Sequence, residues 1–307
     1  MTNPERESPN AMSSPVVVSA PAKVNLILRI LDRRIDGYHN LWSLMQTVGL
    51  ADEVAIVRAA DHREIRLTCD LPSLSVDRTN LVYKAAAEML AHAGQTVGLN
   101  IRLTKRIPMG AGLGGGSSDA AATMIGIDQL LNLGWSADRF MDIGQRLGSD
   151  VPFFFQAPTA VVAGRGERVR AVSLSGVRWV VLVNPGFPVE TKWAYQELSS
   201  TRTEVPSLPD QIASIERMRQ LSWADVSALA QNDFEPPVFG AHASLKTIKD
   251  TLVRQGAEIA LLSGSGATVF GLFSDQGQAH RAAAVFQPDG RQKVFVVPTC
   301  SGPLTVR

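Results

Sequence analysis

Apolar residues fall first in short β-type runs and then in helical stripes. Val16–Ser19 and Val24–Ile30 are β-branched and aliphatic and predict two opening strands. Asp32–Asn40 is charged, contains Gly37 and predicts a turn or loop. Glu53–Arg58 and Glu64–Cys69 predict further strands, the latter with Ile65, Leu67 and Cys69 alternating with Arg66 and Thr68. In Asn80–His92 the period changes. Leu81, Ala85, Met89 and Leu90 recur at helical spacing, and Gly94 ends the pattern. Leu99–Leu103 predicts a strand. Ser117–Leu133, with its stripe of Met124, Ile127 and Leu131, predicts a helix, as does Ser136–Leu147, which opens on a Ser cap and stops before Gly148.

The second half opens with predicted strands at Thr159–Val162, Val169–Val172 and Trp179–Val183. Pro206–Pro209 has the composition of a linker, and Trp223–Gln231 and Leu245–Arg254 predict helices. The last stretch runs strand Glu258–Leu262, strand Thr268–Phe273, helix Gln276–Phe286, strand Lys293–Val297. Strands that pair with one another and are backed by helices predict an α+β fold rather than a doubly wound sheet. No internal repeat is present. A soft boundary at Arg165–Val172 divides the chain into a first domain over 15–168 and a second over 169–307, after a polar tail at 1–14.

Composition narrows the function classes. The chain has 307 residues, 45% hydrophobic and 19% charged, ample for a large core. A formal charge of +1, with no run of Lys or Arg interleaved with aromatics, predicts no nucleic-acid partner and no anionic membrane partner. Cys69 and Cys300 are too few and too far apart for a disulfide framework or a metal knuckle. The five histidines, His39, His62, His92, His242 and His280, show no paired metal-ligand spacing, so no protein-held metal site is expected. Met1–Ser14 lacks the apolar core of a leader and no stretch is long enough to span a bilayer, so a cytoplasmic setting is expected.

The candidate chemistry begins at Pro108-Met109-Gly110-Ala111-Gly112-Leu113-Gly114-Gly115-Gly116-Ser117-Ser118, between a predicted strand and a predicted helix. Five glycines are costly there unless the backbone takes positive φ or approaches something closely. Such a loop turns several N–H groups to one point, and the following helix adds its free N–H groups and dipole. Together they suit a phosphate. Ser117 or Ser118 is expected to cap the helix, with either hydroxyl available to a magnesium ion. The competing reading is a tight turn or a linker, which is seldom so glycine-dense before a strongly patterned helix.

The loop excludes three familiar phosphate folds. A P-loop needs Lys at the position of Gly116. Gly110, Gly112 and Gly115 satisfy G-x-G-x-x-G, but a Rossmann unit follows its helix with a parallel strand ending in an acid, and here a second helix follows. The Lys strand, catalytic loop and magnesium Asp of a protein kinase are missing after the glycines.

Three segments in order carry a more specific resemblance. Pro21-Ala22-Lys23-Val24-Asn25-Leu26, the glycine loop, and Leu262-Ser263-Gly264-Ser265-Gly266-Ala267-Thr268 resemble the three motifs of the GHMP small-molecule kinases. Asp36-Gly37-Tyr38-His39, Ser43-Leu44-Met45-Gln46 and Gly148-Ser149-Asp150-Val151-Pro152-Phe153-Phe154 resemble the branch of that superfamily that acts on a cytidylyl alcohol. The resemblance runs from Ser19 to Val297. Galactokinase and mevalonate kinase carry Gly-Glu-His after the first motif, where this chain has Leu28-Arg29-Ile30; Asp32 stands where the branch has Gly. Segment Ser199–Ile215 matches nothing in the pattern.

The resemblance implies a ribosomal-S5-like N-terminal domain, a ferredoxin-like C-terminal domain and a cleft between them. It implies ATP as co-substrate, Mg2+ held largely by the nucleotide, a small cytidylyl substrate in the synthesis of isoprenoid precursors, and a monomer or weak homodimer. Asp150 is then the general base and Lys23 its electrostatic partner. By residue type alone, the better reading of Asp150 is a carboxylate bonding nearby turn amides, and of Lys23 a solvated surface charge; the catalytic roles rest on the resemblance. The family reading gives His39 the cytosine edge, with Tyr38 stacking on the ring and Tyr195 or Trp193 as the second aromatic; Asn25 bonds the substrate from the strand of Lys23. Asp119 is a possible magnesium ligand and also suits the first turn of a helix. Gly264-Ser265-Gly266 reads as a hairpin turn or, in the family, a loop that closes over phosphate. The rival readings are a homoserine, mevalonate or sugar kinase, and, from another class, a nucleotide-binding regulator or dinucleotide oxidoreductase.

Overall fold

The computed structural model describes residues 14–35, 37–202, 204, 207–286 and 290–306. All but one residue of the predicted tail, as well as Asp36 and Pro206, lie outside the described residues. The first half runs β1 (Val16–Arg33), β2 (His39–Arg58), β3 (Ile65–Cys69), α1 (Leu81–Ala93), β4 (Leu99–Thr104), α2 (Gly115–Leu131), α3 (Ala137–Leu147), α4 (Val151–Phe154), β5 (Thr159–Gly164) and β6 (Arg168–Ala171). After it come β7 (Ser173–Leu174), β8 (Trp179–Asn184), α5 (Thr191–Thr201), α6 (Asp210–Ile215), β9 (Gln220–Leu221) and α7 (Trp223–Leu229). The chain ends with β10 (Gln231–Asn232), α8 (Glu235–Ala241), α9 (Ala243–Arg254), β11 (Ile259–Leu262), β12 (Val269–Phe273), α10 (Gln276–Ala284) and β13 (Lys293–Pro298).

The architecture is α+β, as the pattern predicts. A seven-stranded sheet is ordered β10-β1-β2-β4-β3, with β5 on β2 and β6 on β5. A four-stranded antiparallel sheet is ordered β11-β12-β8-β13. β10 comes from the second half yet pairs in parallel with β1, placing Asn232 opposite Leu28.

Two predicted strands at Val16–Ser19 and Val24–Ile30 are one strand of 18 residues, and its partner β2 extends over 20. Pro21 explains why the break seemed real. It lacks a donor, and the ladder absorbs this with a register shift between Pro21 and Ala22. The middle of β1 does not alternate because both faces are covered: Ala20 through Leu28 are all buried. Val18 and Ala20 pack with α2 residues such as Ala121 and Met124. Ala22, Val24 and Leu26 pack with Val180, Leu182 and Phe270 of the smaller sheet. A strand buried on both sides reads as continuous apolar sequence.

Helix ends follow local chemistry. Asn80 caps α1 by accepting from Val82 N, Gly94 closes it at φ 62°, and Ser136 caps α3 by accepting from Arg139 N. α2 departs from prediction. It begins at Gly115, its N-cap is Gly114 at φ 70°, and no side chain caps it. Neither Ser117 nor Ser118 is the cap, because the left-handed turn at Gly114 brings both inside the first turns, where Ser118 is buried. Four helices, α4, α5, α6 and α8, arise in segments with no predicted helix.

Candidate active site

The first strand carries the deepest charge of the cleft. Lys23 sits where β1 passes the glycine loop, and its own amide donates to Leu113 O at 2.9 Å. Its side chain is buried, and its ammonium donates to Asn25 Oδ1 at 2.7 Å and lies 3.5 Å from Asp150 Oδ2. Asn25 is fixed in turn: its Nδ2 donates to Ser43 Oγ at 2.8 Å, and Ser43 Oγ donates to Ile27 O at 2.7 Å. Asp150 stands at the start of α4, and among the described residues it makes no side-chain cap bond to that helix. Its side chain keeps 31% exposure, so the carboxylate reaches solvent. A partly exposed carboxylate beside a buried ammonium can accept a proton from a hydroxyl, and the cation favours anionic groups close to it.

The glycine loop lies over this pair. A Cβ on Gly114 meets Lys23 Cγ at 2.9 Å. Gly112, at φ 74°, touches the third motif so closely that a Cβ meets Ser263 O at 1.9 Å. Ser263 Oγ donates to Gly112 O at 2.9 Å, and Thr268 N donates to Ala111 O at 3.2 Å. Asn232 holds the third loop from β10, its Nδ2 donating to Leu262 O at 2.7 Å and Gly264 O at 2.8 Å. Ser265 Oγ is 3.0 Å from Thr191 Oγ1, which ties the loop to α5. Beside the glycine loop is a cavity of about 540 Å³ lined by Leu71, Arg106, Pro108, Met109, Phe187 and Pro188 among others.

On the other side of Asp150, α5 meets the β1–β2 hairpin. The His39 and Tyr195 rings stack with centroids 5.1 Å apart and planes at 20°, and Ser199 Oγ lies 3.3 Å from His39 Nε2. Burial, then the charge of Asp150, pushes the Tyr195 phenol up to about 12, which keeps it neutral. Burial also lowers the His39 pKa, helped by Arg33 and Arg202 and opposed by Asp32. Tyr38 is exposed, with the Arg165 guanidinium 4.1 Å over its ring. Trp193, two residues from Tyr195, points elsewhere and meets His242 edge-on at 5.7 Å. Of the two second-half aromatics, Tyr195 is the one brought to His39.

Sequence reasoning missed several neighbours. Ser43 lies within a quoted segment, and its spacing from Asn25 across a hairpin is a usable signal. Ser199 and Arg202 fall in the unplaced segment. Arg202 pairs with Asp233 at 2.6 Å and donates to Ile30 O at 2.6 Å, fixing the end of α5 to β1. Asp119 is the clearest change of role. It is buried in α2 and paired with Lys105 at 2.7 Å. No group of three or more His, Cys, Asp or Glu side chains able to hold a metal occurs among the described residues. A hollow of about 990 Å³ near Asp233, Glu235 and Lys249 lies apart from the Lys23–Asp150 pair, and its Arg202–Asp233 and Lys249–Glu235 charges are already matched.

Comparison with known proteins gives the family of the chain. The family description "GHMP kinases N terminal domain" matches residues 80–157, and "GHMP kinases C terminal" matches residues 211–289. The 4-diphosphocytidyl-2-C-methyl-D-erythritol kinase of Geobacter sp. (strain M21) is 43% identical over 266 residues, covering 86% of this chain and 92% of the relative. That of Syntrophus aciditrophicus (strain SB) is 41% identical, covering 91% and 98%. The crystal structure of a 4-(cytidine 5'-diphospho)-2C-methyl-D-erythritol kinase superposes with TM-score 0.75 at 33% identity, covering 93% of this chain and all of the other. A homoserine kinase from Cytophaga hutchinsonii has TM-score 0.74 at 19% identity, covering 98% of this chain and all of the other, a likeness of fold.

Proposed function

Because the chain belongs to the GHMP small-molecule kinases, and within them to the 4-diphosphocytidyl-2-C-methyl-D-erythritol kinase family, we propose that it transfers the γ-phosphoryl group of ATP to the 2-hydroxyl of 4-diphosphocytidyl-2-C-methyl-D-erythritol. The observation that carries this reading is Asp150, partly exposed to solvent and 3.5 Å from the buried ammonium of Lys23, which the glycine loop packs against. The reaction belongs to the non-mevalonate route to isoprenoid precursors. We assign the cytoplasm as its setting, and a monomer or weak homodimer as its form.

In this mechanism Pro108–Ser118 cradles the phosphates through its backbone N–H groups and the start of α2. The neighbouring cavity of about 540 Å³ takes the rest of the nucleotide. The substrate hydroxyl attacks the γ-phosphorus, the bond from that phosphorus to the β–γ bridging oxygen breaks, and ADP leaves. Asp150 accepts the hydroxyl proton, and Lys23 stabilises the oxygen as it becomes negative. Asn25, whose Oδ1 accepts from the Lys23 ammonium, bonds the substrate from the same strand. His39, kept neutral by burial, offers a ring nitrogen to the cytosine edge, and Tyr38 and Tyr195 provide aromatic faces. Asp119 gives one oxygen to Lys105, and the described residues near the loop supply no group of three or more His, Cys, Asp or Glu side chains for a protein-held magnesium site. The ion, held by the nucleotide and water, neutralises β- and γ-phosphate charge when bound.

The deciding experiment is mass analysis of the product formed from ATP and the cytidylyl alcohol, with turnover compared on homoserine and mevalonate. We expect one added phosphoryl group on the cytidylyl alcohol only. Faster turnover on either alternative overturns the substrate, and tight NADH binding without transfer overturns the kinase reading. Full activity in excess chelator removes magnesium.

A further inference from the structure

Beneath the glycine loop lie three buried charges that the mechanism above does not use. Lys105 ends the run from β4 to the loop, and its ammonium donates to Asp52 Oδ2 and, at 2.7 Å, to Asp119 Oδ2. Their side chains are 5%, 0% and 3% exposed. Asp52 comes from β2. Its Oδ1 accepts from Arg106 N at 2.5 Å and Ile107 N at 2.8 Å, the two amides just before Pro108. Asp119 comes from α2, just after the loop. A single cation therefore joins the carboxylate that holds the residues leading into the loop to one anchored just beyond its last. The contact is close: a Cβ on Gly115 comes 3.3 Å from Lys105 Nζ.

Stability alone explains this cluster poorly. A buried ion pair is often no better than an apolar replacement of similar volume. Holding one cation between two carboxyl groups in the interior carries a desolvation cost for each of the three. Asp119 Oδ1 and Ser118 Oγ are buried and lack a hydrogen-bond partner among the described residues. An arrangement this costly is better explained by positioning, because the backbone amides it grips, those of Arg106 and Ile107, lead directly into the loop read as the phosphate cradle.

We propose that Asp52, Lys105 and Asp119 are positioning residues that clamp both ends of the glycine loop and so set its fit to the nucleotide. The proposal rests on the reading of that loop as the ATP phosphate cradle. Removing the clamp loosens the loop and weakens nucleotide binding. The acceptor side, built on β1, the β1–β2 hairpin and α5, is left as it is.

The test uses the full chain with Lys105→Met, and Lys105→Met/Asp119→Leu in case the single variant leaves two buried carboxylates it cannot fold around. Asp119→Asn is the milder control. Three quantities are read: KM for ATP against KM for the cytidylyl alcohol, affinity for a fluorescent ATP analogue without acceptor, and amide hydrogen exchange. We expect ATP KM and analogue Kd to rise roughly tenfold or more on losing charge-assisted hydrogen bonds. Acceptor KM should stay within about threefold. Exchange should quicken at 106–118 while α1 stays protected. Unchanged ATP KM in a folded variant overturns the clamp, and so does an equal loss for both substrates. A raised ATP KM with no change in loop exchange also overturns it, because Lys105 would then act on the nucleotide directly. If the parent chain itself neither binds the analogue nor transfers phosphate from ATP, the underlying functional reading has failed, an outcome distinct from all of these.

Discussion

At the scale of single residues, the pair Lys23–Asp150 gives the sharpest expectation. Removing one preorganised electrostatic group costs roughly 100- to 1,000-fold in turnover. Lys23→Ala and Asp150→Asn are each expected to lower kcat by at least that factor with the fold intact by circular dichroism. Near-parental kcat from either folded variant takes that residue out of the mechanism. His39 gives a second expectation, in pH. Burial, with Arg33 and Arg202, lowers its pKa, so it stays neutral below the ordinary imidazole range. The unfolded chain takes that proton first as pH falls, so this site subtracts from stability only below the ordinary imidazole value. Acceptor KM should accordingly hold steady through neutral pH and rise only in mild acid. Arg202→Met removes one of the cations, and the His39 titration followed by NMR should then move upward. A downward or null shift contradicts the assigned cause.

At the scale of elements, the glycine loop is where local sequence and distant packing meet. Gly112→Ala places a methyl 1.9 Å from Ser263 O at a backbone φ of 74°. Overpacking costs typically about 1–3 kcal/mol, and the left-handed backbone about 1–2 more for an L residue. The variant should lose ATP affinity, read as a rise in ATP KM, together with a lower melting temperature. α2 carries a pH signature of its own. Burial dominates over the attraction of Lys105 and, with the repulsion of Asp52, raises the Asp119 carboxyl to about 7. The folded state therefore holds a proton that the unfolded chain releases near pH 4. This site's contribution to stability falls as pH rises from about 4 to about 7 and is flat above. Asp119→Asn should remove that slope from the melting temperature. Much at this scale was legible in sequence: the glycines between strand and helix, the Ser136 cap of α3, the stop of α1 at Gly94. What was not legible is long-range. Nothing near Gly112 announces Ser263, and Asp52 is separated from Lys105 by β3, α1 and β4, and Lys105 from Asp119 by the glycine loop. Pro21 obscured the continuity of β1 because a bulge, which a ladder tolerates, leaves the same local signature as a strand end.

At the scale of the whole molecule, the two sheets share a core. Ala22, Val24 and Leu26 of β1 and Trp42 and Leu44 of β2 pack with Leu182, Leu261 and Phe270 of the smaller sheet and with Ile212 and Ile215 of α6. Trp42 is 1% exposed, and its indole donates to Glu216 Oε1 at 2.9 Å across this junction. Such an apolar junction resembles a divided domain core more than the polar contacts of mobile domains. The larger sheet also takes β10 from the second half, so pulling the halves apart breaks a strand pairing as well. Both sheets should therefore unfold together, in one calorimetric transition whose van't Hoff and calorimetric enthalpies agree. Trp42→Ala removes a fully packed ring, a change that costs about 3–5 kcal/mol. It should lower that one melting temperature, by on the order of 10 °C, without splitting it. ATP supplies the complementary test, since the proposed phosphate cradle belongs to the first half. Nucleotide at a hundred times its Kd stabilises the state that binds it by about 2.7 kcal/mol. If the shared core couples the halves, ATP moves the whole transition upward. If ATP raises only part of the heat absorption and leaves a second component in place, the halves fold as separate units and the coupling argued from Trp42 is wrong.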